Sequence, residues 1–339
     1  MVLDFDDTLV CHDSGEATFA AMAELLKTLP TARYHSPDFA LDGMRYVFEE
    51  DPIAYYRALQ RATTHQNGGQ MGYQDAYPWS AQVMAGLTPH DIIEGTQSAW
   101  QHTPTDAPFP KPFLYPEMIE LVGHLLRLRY HVYILSATNV WTVRWVILRI
   151  LNPLLEAQFG EGIGLAPNHV FGISMVLRDR ETHQLYKDIP LVRAVSSHAQ
   201  AYANLHVEAL KRYDLMPQLV FPVSAYTGKF ATIVEHITRE RPLLVAGDSA
   251  NDLAMLLHGE HRLWIARLDS PHLQYQVAKR AHQDAAHWLV QPTLTQNHPG
   301  FLATPQMLNR RIGSSDRSAL TRALGPWHRH LDWTSEHSD

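Results

Sequence analysis

The chain opens with Val2-Leu3-Asp4-Phe5-Asp6-Asp7-Thr8-Leu9-Val10, an apolar run that carries carboxylates and a hydroxyl into the turn that ends it. Asp4 and Asp6 lie two apart. They share a face if the strand continues, and in a turn both can converge on one cation. Taken alone, Asp-x-Asp-x-Thr also fits a polar strand end followed by a helix N-cap.

Three later segments end apolar stretches, or open helical ones, with the groups such a site would lack. In His131-Val132-Tyr133-Ile134-Leu135-Ser136-Ala137-Thr138-Asn139 a buried-type strand leads to Ser136, and Val140, Val143, Ile147 and Ile150 then recur at helical spacing. Backbone N–H groups opening that helix, together with the Ser136 hydroxyl, make an anion seat; the plainer reading of Ser136 is a helix N-cap. Thr227-Gly228-Lys229 precedes a helical run through Ile233 and Ile237, although a single Lys behind a Gly is usually a surface residue. Pro242-Leu243-Leu244-Val245-Ala246-Gly247-Asp248-Ser249-Ala250-Asn251-Asp252 reads as a parallel-type strand, a Gly-Asp turn and a helix carrying Leu253, Leu256 and Leu257.

In this order the four segments resemble the haloacid dehalogenase superfamily of aspartate-nucleophile phosphatases, over about half of the chain. The resemblance implies Asp4 as nucleophile, Asp6 as general acid and base, and Thr8 as a positioning hydroxyl. It implies Ser136 and Lys229 as phosphate ligands, with Ala137 beside them. Asp248 forms the acidic metal end with Asp252, and Asn251 and Asp252 support it. Dehalogenase members lack the second acid of the first motif; Asp6 is present here, which favours the phosphatase branch. Asp7 takes no assigned role.

The chemistry needs these residue types in any case. A phosphate monoester repels an anionic nucleophile, so a carboxylate attacks phosphorus only where a cation and a fixed ammonium neutralise the transferring oxygens. Mg2+ prefers a few hard oxygens and keeps waters, which suits Asp4, the backbone carbonyl of Asp6, and Asp248. Lys229 supplies the ammonium.

A chain of 339 residues is long for one compact domain, so a core with an inserted cap is expected. The expected fold is α/β: a doubly wound, Rossmann-like parallel sheet formed by residues 1–12 and 114–291, with a mainly helical cap at 13–113. Residues 181–222 suggest a second small insertion, and 292–339 a loop-rich tail with one short helix. After Asp252 the pattern reads strand (Leu263 to Leu268), helix (Pro271 to His282), strand (Trp288 to Gln291), which completes the sheet.

Within the cap, helical patterns run through Phe19-Met22-Leu25-Leu26 and Met44-Val47-Phe48, with a turn at Gly68-Gly69 and a Pro-rich exit from Pro104 to Pro116. Asp13 can cap the first helix, with Glu16 completing a capping box. Most of Tyr34, Tyr46, Phe48, Tyr55, Tyr56, Tyr73, Tyr77, Trp79 and Trp100 read as cap core. The sharper reading sets two or three of them at the pocket mouth, where each aromatic face attracts an ammonium by about 0.5–2 kcal/mol.

A narrower resemblance points the same way. Asp4 to Asp13, Ser136-Ala137-Thr138 with Trp141-Thr142-Val143-Arg144, Gly172-Ile173 leading to Asp179-Arg180, Gly228-Lys229, and Arg262-Leu263-Trp264-Ile265-Ala266-Arg267 together look like the phosphoserine and phosphorylcholine phosphatase branch. Both relatives carry an acid near the place of Asp13, which makes Asp13 a candidate substrate ligand. In the phosphoserine enzymes it is a glutamate that meets the substrate amine. The phosphorylcholine enzymes have Asn where Phe5 and Asp7 stand here.

Twenty-eight Lys and Arg against 35 Asp and Glu give a net charge of -7 with no basic stripe, which argues against nucleic acid as the main partner. The 21 His residues lack zinc-site spacing, and the single Cys11 excludes an intrachain disulfide and reads as a buried filler. No apolar run reaches membrane-spanning length, so a cytoplasmic protein is expected, with an export signal lost from the N-terminus left open. The expected activity is Mg2+-dependent hydrolysis of a small phosphate ester through an aspartyl-phosphate, an amine-bearing ester such as phosphorylcholine or phosphoserine among the candidates. A phosphate-binding or phospho-accepting regulatory module, and a phosphotransferase with the same residues, stand as alternatives.

Overall fold

The computed structural model describes residues 1–64, 76–102, 107–194, 197–283, 287–296, 299–302 and 324–327. Among the sequence expectations, Gly68-Gly69, Tyr73, Pro104, Ser196, Asn297-His298 and Gly313-Ser314-Ser315 lie outside the described residues.

Apolar runs with residues of alternating face build one central sheet. In spatial order its strands are Gly300–Phe301, His287–Leu294, His261–Arg267, Leu244–Gly247, Val2–Leu3, Tyr133–Asn139 and Val170–Ile173. Every neighbouring pair is parallel except the edge pair of Gly300–Phe301 with His287–Leu294. Because strand side chains alternate, each strand feeds two cores. Leu3, Ile134, Ala246 and Ile265 pack with Met118, Val122 and Val143, from the helices Pro116–Arg127 and Val140–Val146. Val2, Leu135, Val245 and Trp264 pack with Ile233, Met255 and Val277 on the opposite face. The sheet is therefore covered on both sides, a doubly wound α/β fold.

Chain order reverses direction between Val2–Leu3 and Leu244–Gly247. The strands that follow Val2–Leu3 build outward on one side and those from Leu244 onward on the other. Crevices at the carboxyl ends of strands flanking such a reversal are where open α/β sheets hold ligands. Asp4 and Asp248 each follow directly on one of these two strands.

Residues 14–101 carry the helices Ser14–Lys27, Pro30–Tyr34, Pro52–Thr64, Ala76–Gln82 and Pro89–Gln101. Phe19, Met22 and Leu26 are buried while Leu25 faces out. Phe48, Tyr55, Tyr56, Trp79 and Trp100 are core as expected, but Tyr34 is 83% exposed. The helix expected through Met44, Val47 and Phe48 is a correction: Met44–Tyr46 is a strand paired antiparallel with Phe39–Leu41. Asp42 and Gly43 between them both have positive φ (53° and 78°), the two-residue hairpin geometry that Asp-Gly favours over helix.

A three-stranded antiparallel sheet, Tyr213–Leu219, Met175–Asp179 and Leu185–Tyr186, begins before residue 181 and carries helices between its strands. Its edge docks on the preceding helical region: Gly86 N–H donates to Leu215 O and Leu215 N–H to Leu87 O, both at 2.8 Å. The stretch after residue 291 also packs on the core, through Gly300–Phe301 and the buried Trp327. Among the described residues no helix is long and apolar enough to cross a membrane.

Candidate active site

Val2–Leu3 ends at Asp4, whose N–H still donates to Ala246 O at 3.0 Å; beyond it the chain turns. Asp4, Asp6, Asp7, Asp13, Ser136, Ala137, Asp248 and Asn251 all line one hollow of ≈ 400 Å³, joined by Tyr77, Thr138, Ser249 and Arg267.

Lys229 lies in the first turn of the helix Thr227–Thr232 and is buried, so the surface reading is overturned. Its Nζ donates to Asp4 Oδ1 and, at 2.6 Å, to Asp252 Oδ1. Gly228 is required just before it: a Cβ there would stand 1.7 Å from Val223 O. Burial alone would lower the Lys229 pKa, but Asp252 and Asp4 outweigh it and hold the ammonium charged.

Asp252 serves this cluster as a clamp. Its Oδ2 accepts from Asp248 N–H (3.1 Å), Ser249 N–H (3.0 Å) and Ser249 Oγ (2.8 Å), which shapes the turn presenting Asp248. Asn251 Oδ1 accepts from Tyr226 N–H at 2.5 Å and so joins this turn to the one bearing Lys229. Thr8 Oγ1 reaches Asp248 Oδ1 at 3.4 Å.

Ligand oxygens of Asp4, Asp248 and Asp252 all lie within 4.8 Å of one another. Burial and then Asp252 push Asp4 up to about 7 against the pull of Lys229. Burial also raises Asp248 well above the carboxylate range, with Arg267 opposing and Asp252 and Asp4 adding. Buried carboxylates that raise each other's pKa favour a hard cation, and no thiolate or imidazole stands among these three. The donor set fits a divalent ion. Since both Asp252 oxygens are already engaged, Asp4 and Asp248 are the side chains open to it.

Asp6 is held by a different set of groups. Its Oδ1 accepts from Ser14 N–H at 2.7 Å, and its Oδ2 from Thr138 Oγ1 at 2.6 Å and Ser136 Oγ at 3.3 Å. Burial, then Asp13, raises its pKa well above the ordinary value, against the hydrogen bonds of Thr138 and Ser14. A carboxyl whose pKa is raised in this way is better suited to protonating a leaving group than an ordinary carboxylate.

The helix expected directly after Ser136 begins later. The strand continues to Asn139, and Asn139 Oδ1, accepting from Trp141 N–H at 3.0 Å, is the N-cap. Ser136 Oγ instead accepts from Thr138 N–H at 2.9 Å. Asp13 does cap the helix Ser14–Lys27, taking Glu16 N–H at 2.8 Å, but the reciprocal half of the capping box is absent among the described residues. The Glu16 carboxylate accepts from Gln60 Nε2 at 2.6 Å. Cys11 is buried, with its thiol pushed up to about 12 by burial.

A second hollow of ≈ 360 Å³ shares Asp13, Tyr77, Ala137 and Thr138 with the first and extends along Thr18, Tyr56, Ser80, Asn139 and Thr142. Burial pushes Asp13 up to about 6. Tyr56 and Tyr77 are thus the two aromatics at the pocket.

Thr138, Ser249 and Arg267 carry no site role in the sequence, whereas Tyr77 and Tyr56 are among the aromatics expected at the pocket mouth. Thr138 left a positional signal: it lies two residues beyond Ser136, on the same face of a continuing strand.

No protein-family model matches the chain, and no curated protein does. Among solved structures it is similar to a conserved protein of unknown function from Anaerococcus prevotii: 16% identity, 86% of this chain and 84% of that one, TM-score 0.49. A protein of unknown function from Bordetella pertussis matches at 13% identity over 85% of this chain and 96% of that one, with a TM-score of 0.47. A phosphoserine phosphohydrolase-like protein from Francisella tularensis matches at 12% identity over 85% and 93%, with a TM-score of 0.38. At these scores the likenesses are loose, and what the site does rests on its own geometry.

Proposed function

We propose that the protein is a Mg2+-dependent phosphomonoesterase that works through a phosphorylated Asp4. The observation that carries this reading is the meeting of Asp4, Asp248 and a charged, buried Lys229 at the switch point of the sheet. When bound, the divalent ion would be held by Asp4, Asp248 and the Asp6 carbonyl and would neutralise the transferring phosphoryl oxygens.

The Asp4 carboxylate attacks phosphorus, its bond to phosphorus forms as the ester P–O bond breaks, and Asp6 gives its proton to the departing alkoxide. Asp6, now a carboxylate, takes a proton from the water that attacks the aspartyl-phosphate. Inorganic phosphate leaves and Asp4 is restored. Lys229 neutralises charge on Asp4 and on the phosphoryl group throughout, while Ser136 and the Ala137 backbone seat the remaining oxygens.

The adjoining hollow supports a small, amine-bearing alcohol as the leaving group. Asp13 offers a carboxyl, and Tyr56 and Tyr77 offer aromatic walls. A screen of phosphorylated metabolites with Mg2+, phosphoserine and phosphorylcholine included, should find turnover of at least one. Asp4→Asn should abolish it while preserving the fold. Turnover retained by that variant contradicts the reading, and failure on every ester favours a regulatory phosphate-binding module. Product transferred to an added alcohol in preference to water would identify a phosphotransferase.

A further inference from the structure

The basic side chain lining the acidic hollow is Arg267, not Lys229. It ends the strand His261–Arg267, next to the strand that delivers Asp248, and reaches across Asp248 to the loop after Val2–Leu3. Its Nη1 donates to Asp7 Oδ2. Its Nε lies 3.1 Å from Asp248 Oδ2 yet makes no hydrogen bond, so charge alone holds the guanidinium against that carboxylate. Asp7 is built to keep its half of the contact. It stands at φ 54°, a left-handed conformation that Asp tolerates, and its other oxygen accepts from His12 N–H at 3.0 Å.

The two cations thus have different duties. Lys229 is committed to Asp4 and Asp252. Arg267 is anchored at one edge by Asp7 and only loosely placed at the other, on Asp248, one of the carboxylates that could hold a metal. A dianionic phosphoryl group entering a hollow lined by five aspartates gains from a guanidinium that acts beside the ammonium and a divalent ion.

Resting on the phosphomonoesterase reading, we propose that Arg267 is a second phosphate-binding residue, which also has Asp248 within reach of its unbonded Nε. A divalent ion competes with it for Asp248, and the freed guanidinium edge, still tethered by Asp7, turns to the phosphate oxygens. Metal and Arg267 therefore oppose each other in the absence of phosphate and cooperate in its presence.

Calorimetric titrations of the full chain with Mg2+ alone, and with inorganic phosphate at saturating Mg2+, test this. Arg267→Gln should tighten Mg2+ binding severalfold and weaken phosphate binding by about 10-fold or more, the loss expected for a charged hydrogen bond. Unchanged phosphate affinity overturns the proposal, and so does weaker Mg2+ binding, which would make Arg267 a brace for Asp248. If Arg267→Gln does not fold, Arg267→Lys decides. That variant keeps the charge but loses the fork, so weakened phosphate binding with Mg2+ affinity kept supports the proposal, and unchanged phosphate affinity overturns it. A wild-type protein that binds neither Mg2+ nor phosphate would instead refute the phosphomonoesterase reading itself.

Discussion

Asp252 Oδ1 accepts from Lys229 Nζ at 2.6 Å while its Oδ2 collects three donors from the turn that presents Asp248. One carboxylate thus fixes both the ammonium and the metal-facing acid. Asp252→Asn should leave the buried Lys229 with Asp4 as its one remaining charged partner among the described residues and cost up to about 3 kcal/mol, because an uncompensated buried charge is expensive. Urea unfolding measures it. A change below about 0.5 kcal/mol, the usual size for an exposed substitution, would show that the clamp is dispensable.

Thr138 Oγ1 stabilises the ionised form of Asp6. Thr138→Val removes that bond at nearly constant shape, so the Asp6 pKa should rise further. An acid that must be protonated stays active up to a higher pH, and the alkaline limb of the rate profile should shift upward for an alkyl phosphate ester. An unmoved limb would assign the general acid to another group.

Gly15 meets Thr138 from the other side: a Cβ there would stand 2.6 Å from Oγ1 and 3.2 Å from Cγ2, so rotating Thr138 does not relieve the contact. Gly15→Ala should displace Thr138 from Asp6 and lower kcat by about 10-fold or more, as loss of general-acid positioning does. Steady-state kinetics checks it; wild-type kcat would mean that the helix shifts instead.

Glu16 supplies a pH signature of folding. Burial and then Asp13 raise its carboxyl from 4.5 to about 8. Between those values the folded protein keeps a proton that the unfolded chain releases, so stability is greatest below pH 4.5 as far as this group is concerned and falls as pH rises to 8. Glu16→Gln binds no proton in either state, and its stability should fall less than wild type between pH 5 and pH 8. Equal losses in urea titrations would place the effect elsewhere.

Much of the sheet was legible because its strands are short apolar runs broken abruptly by charge or glycine, a pattern that survives without tertiary context. Asp4 and Asp248 each mark such a break, and the structure gathers them with Asp6, Ser136 and the helix-borne Lys229 at one end of the sheet. Arg267 was invisible as a site residue because its partner Asp7 is 260 positions away and its strand ends without a break motif. The helix expected at Met44, Val47 and Phe48 failed because three apolar residues at helical spacing are too few to fix a helix, and the Asp42-Gly43 turn settled the choice. The Ser136 N-cap failed for a related reason: the strand-to-helix junction fell at Asn139, which caps as well as serine does.

The central claim is that the Asp4 carboxylate becomes esterified to phosphorus. Protein mixed with a turned-over phosphate ester and Mg2+, quenched in acid within one turnover and digested, should yield a hydroxylamine-labile phosphoryl group on the peptide containing Asp4, absent from Asp4→Asn. Hydrolysis that proceeds in wild-type protein with no phosphoryl group on that peptide at any quench time would contradict it.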